Sequence, residues 1–304
     1  MNPPVATENM AKISLPKKST RFPSRILYAK SRFRTDRHRM RTVAISNQKG
    51  GVGKTTTAMN LSACLAAQGT RVLLIDLDPQ ANATSGLDIE PQLGLSLYSP
   101  LTSHGRADQM IRPTRLPNLS IIPSHMELAG CEIDLARENN HLTKLRDLLA
   151  PLKNAATFDY VILDTPPSLG ILMTSALAAA DEILIPLQCE YFGLEGLAKI
   201  VHIVEQIRSS GANPNVQIEG ILITMYDPRT NLARQVVSDV ARHFEETVYK
   251  TIIPRTIRLG EAPSFGLSII EHEPKGRGAD AYRALASEFL QRRQKAVSDA
   301  PAVA

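Results

Sequence analysis

From Thr42 onward, short apolar runs alternate with longer stretches whose apolar positions recur at helical spacing. The runs Thr42–Ser46, Arg71–Ile75, Leu119–Ile122, Asp159–Leu163, Glu182–Leu187, Ile218–Thr224 and Val248–Ile253 predict seven strands. Most are continuously apolar rather than alternating, the pattern of parallel strands buried on both faces. Between them, Lys54–Gln68, His125–Glu138, His141–Leu152, Ser168–Ala180, Leu194–Ser210, Leu232–Glu246 and Ala279–Arg293 predict helices. Strand–helix alternation of this kind predicts an α/β domain of three layers, a mostly parallel central sheet flanked by helices, over residues 42–293. No internal repeat or linker divides it.

Residues 1–41 follow neither period and hold three prolines before Lys17, which predicts a basic, disordered extension. A basic arm for DNA or lipid, an Arg- and Ser-rich targeting peptide, and a reading frame opened upstream of a true start at Met40 all fit it. Residues 294–304 are small and polar and are expected to fray. The extension changes the meaning of the charge. The chain of 304 residues carries +5, but residues 1–41 hold 11 of the 35 Lys and Arg against 2 of the 30 acids. The rest is therefore acidic, so whole-chain charge does not mark the body as a nucleic-acid binder. Three scattered cysteines make no disulfide framework or cluster spacing, and no apolar run is long enough to span a bilayer. A cytoplasmic protein is expected.

The candidate chemistry begins between the first strand and the first long helix, in Asn47-Gln48-Lys49-Gly50-Gly51-Val52-Gly53-Lys54-Thr55-Thr56-Thr57. Backbone N–H groups of such a turn, with the positive end of the helix, form an anion site. Lys54 suits β- and γ-phosphates and the Thr55 hydroxyl suits Mg²⁺. The ordinary pattern G-x-x-x-x-G-K-[ST] would put glycine at 48, where Gln48 stands, and a second lysine, Lys49, precedes the glycines. The dinucleotide fingerprint is a competitor but fails at its third glycine, replaced by Thr56, and has no use for Lys54 and Thr55. Two strand ends add acids, Asp76 and Asp78 after Val72–Ile75, and Asp164 after Tyr160–Leu163. One such Asp is well read as a helix cap. Three on the edge that carries a phosphate loop favour holding a magnesium-bound water or orienting an attacking one.

Lys49–Thr57 together with Asp76-Leu77-Asp78-Pro79-Gln80-Ala81-Asn82-Ala83-Thr84-Ser85-Gly86 resembles the ParA/Soj chromosome- and plasmid-partitioning ATPases, the deviant Walker-A class of P-loop NTPases. Asp164–Leu169, Gln188–Gly196, Thr224–Asn231 and Ile253–Ser264 extend the resemblance, which runs from Thr42 to Arg293. It implies a hydrolase of the ATP β–γ phosphoanhydride that works as an ATP-dependent homodimer. Lys49 would be the signature lysine that crosses to the partner's phosphates. Gly50, Gly51, Val52, Gly53, Lys54, Thr55 and Thr56 would cradle the nucleotide, with Thr55 and Asp164 on Mg²⁺ and Asp78 positioning water. Met225, Pro254 and Arg255 resemble the wall on the base side. Arg229 and Arg258 match positions implicated in DNA binding without sequence preference.

The resemblance also implies a nucleoid-associated ATPase whose turnover is stimulated by a ParB-like centromere-binding protein, with no membrane partner. Residues 1–41 are too few for the helix-turn-helix domain that longer family members carry. A MinD-like membrane-surface regulator and a protein-cluster positioning ATPase are the alternatives. For the former, Tyr282, Leu285, Ala286, Phe289 and Leu290 share one helical face that either meets lipid or packs on the core.

Overall fold

The continuous apolar runs become strands with side chains buried on both faces. The computed structural model describes residues 40–103, 105–190 and 193–298. Residues 1–39, His104, Tyr191 and Phe192 of the Gln188–Gly196 block, and the tail from 299 lie outside the described residues. Strands β1 (Arg41–Ile45), β2 (Val72–Asp76), β3 (Arg112–Pro113), β4 (Leu119–Ile122), β5 (Tyr160–Asp164), β6 (Glu182–Gln188) and β7 (Gln217–Thr224) form one sheet. Its order is β3-β4-β2-β5-β1-β6-β7, and every pairing is parallel except that of β3 with β4.

The helices are α1 (Lys54–Ala67), α2 (Asn82–Gly86), α3 (Tyr98–Thr102), α4 (Cys131–Asp134), α5 (His141–Ala155), α6 (Ile171–Ala179), α7 (Gly193–Ser209), α8 (Asn231–Phe244), α9 (Ile257–Glu261), α10 (Ile269–His272) and α11 (Arg277–Ser298). Alternate residues of each strand serve opposite layers. Leu73, Ile75, Val161 and Leu163 belong to one core cluster with apolar residues of α5, α6, α7 and α8, whereas Val72, Leu74 and Ile162 belong to another with those of α1 and α11. Burial of a side chain of this size contributes roughly 1.5–3 kcal/mol, so the two layers fix the register of the whole sheet. Helix α1 is buried nearly all round, sandwiched between sheet and α11. The apolar face of α11 predicted for lipid or core packs on the core: Tyr282, Leu285, Ala286 and Phe289 are all buried. Helix α11 continues to Ser298, past the boundary expected at Arg293.

Two predicted elements take other forms. His125–Glu138 is not one helix but a 3₁₀ turn at Met126–Gly130, the short α4, and a second 3₁₀ turn at Leu135–Arg137. Glycine weakens a helix interior, and Gly130 is needed where it is, because a Cβ there would lie 2.9 Å from the Tyr98 ring. Val248–Ile253 is not a strand either. It meets β7 only at its two ends, by an isolated bridge of Val248 with Ile221 and a bond from the Ile253 N–H to the Ile223 carbonyl, because the N–H groups of Lys250 and Thr251 turn away to the Glu288 carboxylate of α11.

Candidate functional site

The carboxyl ends of β1, β2 and β5 lie side by side, with Asp76 opposite Asp164 and Asp164 opposite Ile45 in the sheet register. The loop leaving β1 is shaped by glycine backbones in the left-handed region, Gly51 at φ 74° and Gly53 at φ 86°, which glycine adopts without a Cβ penalty. Asn47 anchors its start, donating Nδ2–H to the Pro186 carbonyl and accepting the Lys49 N–H at 3.0 Å. Thr224 at the end of β7 anchors its middle, its hydroxyl donating to the Val52 carbonyl at 2.8 Å. The Thr57 N–H donates to Gly53 as α1 begins, and the N–H groups of the turn before it are the ones a helix leaves for an anion.

The two lysines of the loop go different ways. Lys54 is 6% exposed and curls back to donate to the Lys49 carbonyl at 3.3 Å. Burial pushes its pKa below the ordinary lysine value, while Asp164 and Asp78 oppose the shift. Lys49 points outward, its ammonium 2.7 Å from the Glu190 carboxylate just after β6. Gln188 holds the other Glu190 oxygen. Glu190 is the site residue that the sequence reading missed, although it lies inside the quoted Gln188–Gly196 block.

The three acids also separate. Asp76 is satisfied: it accepts the Thr84 N–H and hydroxyl and the Asp78 N–H, so it organises the start of α2 and the backbone at Asp78. Burial pushes its pKa up to about 6, against those hydrogen bonds. Asp78 is buried, its carboxylate accepting the Gln80 N–H at 3.0 Å and its carbonyl the Ala81 N–H at 2.9 Å. Asp164 is fully buried, and among the described residues neither carboxylate oxygen has a hydrogen-bond partner. Burial first, then the Asp76 carboxylate, raise its pKa well above the ordinary value; the Thr55 hydroxyl and Lys54 lie near enough to pull the other way. A buried carboxylate left without donors is costly unless a cation completes it, so Asp164 with Thr55 fits a magnesium site.

Beyond the loop, a cavity of about 210 Å³ is lined by Gly53, Thr56, Met225, Pro254, Arg255 and Tyr282, among others. The structure thus brings the three residues expected on the base side together beside the phosphate loop. Arg229 and Arg258 lie apart in sequence on exposed surface, 87% and 55% accessible, and each is locally paired. Arg229 binds Asp227, whose carboxyl it holds down to about 2, and Arg258 binds Glu261 and Glu273. Cys64, Cys131 and Cys189 are buried, which pushes their thiols up to about 12, 12 and 11 and makes them poor ligands.

Residues 40–218 match the model of a family described as an AAA domain. The chain is 47% identical over 253 residues to the chromosome partitioning protein ParA of Myxococcus xanthus, covering 83% of this chain and 88% of that one. It is 48% identical over 247 residues to the sporulation initiation inhibitor protein Soj of Bacillus subtilis, covering 81% and 96%. Among solved structures it resembles a cobyrinic acid a,c-diamide synthase of Mycobacterium smegmatis with bound ADP and magnesium, at TM-score 0.73 and 35% identity over 84% of this chain and 96% of that one. It also resembles a variant of McdA from Cyanothece in complex with ATP, at TM-score 0.73 and 25% identity over 88% and 99%. The smegmatis name refers to another chemistry, and the higher identities lie with partition proteins. The chain belongs to the ParA/Soj family of chromosome-partitioning P-loop ATPases.

Proposed function

We propose that this member of the ParA/Soj family pairs with a second copy on binding ATP, holds DNA without sequence preference as a pair, and releases it when a ParB-like partner stimulates hydrolysis. It would thereby act on the nucleoid in chromosome or plasmid segregation. The observation that carries the reading is the division between two lysines five residues apart. Lys54 is buried in its own loop near Asp164 and Asp78, whereas Lys49 stands outside on an exposed ion pair. A cation so placed is free to serve the phosphates of a second copy, as an arginine finger does.

Within one copy, the N–H groups of Gly51–Thr56 and the Lys54 ammonium bind and orient the polyphosphate. Met225, Pro254 and Arg255 would enclose the base. Asp78 would accept a hydrogen bond from the attacking water and align it on the γ-phosphorus. The β–γ anhydride P–O bond breaks as the water oxygen bonds, leaving ADP and phosphate. Thr55 and Asp164 would hold magnesium, which when bound neutralises charge on the phosphate oxygens. The neighbour solved with ADP and magnesium supports both cofactors.

Arg229 and Arg258 are the residues proposed for DNA. Their ion pairs are exposed and therefore weak, so a DNA phosphate can replace Asp227 or Glu261. Pairing of two copies doubles the arginines presented, which links ATP occupancy to DNA affinity. A MinD-like membrane role is the weaker reading, because the α11 face that would have to meet lipid is buried. The test is whether ATP, and not ADP, doubles the mass of the chain in solution.

A further inference from the structure

The segment that follows α8 runs beside β7 with two residues too many. The Tyr249 N–H donates to the Ile221 carbonyl and the Ile253 N–H to the Ile223 carbonyl, both at 2.9 Å. A regular parallel ladder advances two residues on each strand between such bonds. Here β7 advances by two and the facing segment by four. Lys250 and Thr251 fall inside the excess, and their N–H groups have no place on β7.

Helix α11 takes them. The Glu288 carboxylate accepts the Lys250 N–H at 2.9 Å through one oxygen and the Thr251 N–H at 2.8 Å through the other. One turn further along α11, Arg292 donates to the Val248 carbonyl at 2.7 Å and to the Thr247 carbonyl at 3.4 Å. Arg292 also pairs with Glu288 at 3.0 Å, and its guanidinium lies 3.9 Å from the centre of the Tyr249 ring. The Tyr249 hydroxyl in turn donates to Glu219 of β7. The backbone is therefore held just before the excess, where Arg292 takes the carbonyls, and within it, where Glu288 takes the N–H groups. Burial pushes the Glu288 carboxyl up, but the bonds from residues 250 and 251 and the Arg292 charge outweigh it and hold the pKa below the ordinary value.

Just downstream, the Tyr226 N–H donates to Ile253 and the Arg255 N–H to Tyr226, both at 3.0 Å, which turns Ile253–Arg255 into a wall of the cavity beside Gly53 and Met225. If the segment paired regularly with β7, Thr251 would take the place of Ile253. The wall would then be Thr251-Ile252-Ile253 in place of Ile253-Pro254-Arg255.

We propose that Glu288, a residue outside the cavity, sets the register of the nucleotide site: by accepting the N–H groups of Lys250 and Thr251 it fixes which residues form the base-side wall. It is a positioning residue, and the part of the proposal that concerns the base rests on the reading of the cavity given above.

The experiment uses the full chain and its Glu288→Ala and Glu288→Gln variants, with MgADP and magnesium tripolyphosphate as ligands in calorimetric titrations. Tripolyphosphate meets the phosphate loop but has no base. Glu288→Ala is expected to weaken ADP by about tenfold, the scale of one lost charge-assisted hydrogen bond, while tripolyphosphate changes by less than about twofold. Glu288→Gln keeps the shape and one acceptor oxygen and should fall between. Equal weakening of both ligands, or unchanged ADP affinity in Glu288→Ala, overturns the proposal. Hydrogen exchange at the amides of Lys250 and Thr251 reads the register without any nucleotide. It should be slow in the wild-type chain and faster in Glu288→Ala, and unchanged exchange also overturns the proposal. A wild-type chain that binds ADP no better than tripolyphosphate defeats the base reading instead, and the exchange result then decides the register by itself.

Discussion

The Lys49 ammonium lies 2.7 Å from the Glu190 carboxylate, an ion pair that joins the phosphate loop after β1 to the loop after β6. Both side chains are accessible, 27% and 50%. Exposed pairs of this kind contribute about 0–1 kcal/mol, far less than a second cation contributes to a polyphosphate in a closed site. The pair can therefore break when phosphates are offered.

Lys49→Ala should for that reason leave the fold almost untouched, lowering stability by no more than about 1 kcal/mol. Nucleotide binding through Lys54 should persist, while the ATP-dependent gain in mass disappears. Denaturant unfolding and light scattering with ATP read the two effects separately.

Asp164→Asn should stabilise the nucleotide-free chain near neutral pH by about 1–3 kcal/mol, because it removes a buried charge without donors. The same change should abolish the thermal stabilisation given by MgADP. A variant that is destabilised without ligand would contradict the account.

A pH dependence follows from the same group. Folded-state pKa values raised above the unfolded value, as for Asp164 and for Asp76 at about 6, mean that the folded state binds the proton more tightly. The stability associated with them is full below the unfolded value and declines as pH rises from there through the folded value, for Asp76 from 3.8 to about 6. Magnesium needs the charged form of Asp164. Thermal shifts should therefore show the MgADP stabilisation growing as pH is raised above the ordinary carboxylate range.

Asp78→Ala should lower ATP hydrolysis by about a hundredfold or more, in line with the loss of a water-positioning group, and leave nucleotide affinity within a few-fold. Phosphate release and a direct binding titration make that comparison.

Arg258→Glu and Arg229→Glu should weaken DNA retention by the ATP-bound chain without changing its mass. The salt dependence should flatten by about one unit for each phosphate contact removed per copy. Retention unchanged in either variant removes that arginine from the site.

Much of this was legible because parallel strands announce themselves. The predicted strand Leu119–Ile122 is reproduced to the residue, and β1, β2 and β5 lie within one residue of their predicted spans. The phosphate loop and its acids were legible for the same reason, since chain order alone puts strand ends on one edge. Partners distant in sequence were not. Glu190 is 141 residues from Lys49, and Glu288 is 37 and 38 residues from the amides that it removes from the Val248–Ile253 strand. Asp76 and Asp164 read alike in sequence and differ because Thr84 and the Asp78 N–H satisfy the first. The two-residue β3 is an antiparallel edge with a proline in it, too short for any period to reveal.

The account turns on ATP occupancy bringing two copies together through Lys49. Light scattering of the Asp78→Ala chain with ATP and magnesium tests this most directly, because the slowed turnover keeps the bound state populated. The predicted result is twice the single-chain mass with ATP, the single-chain mass with ADP, and the single-chain mass with ATP once Lys49→Ala is added. A single-chain mass with saturating ATP, or a doubled mass that survives Lys49→Ala, would contradict it.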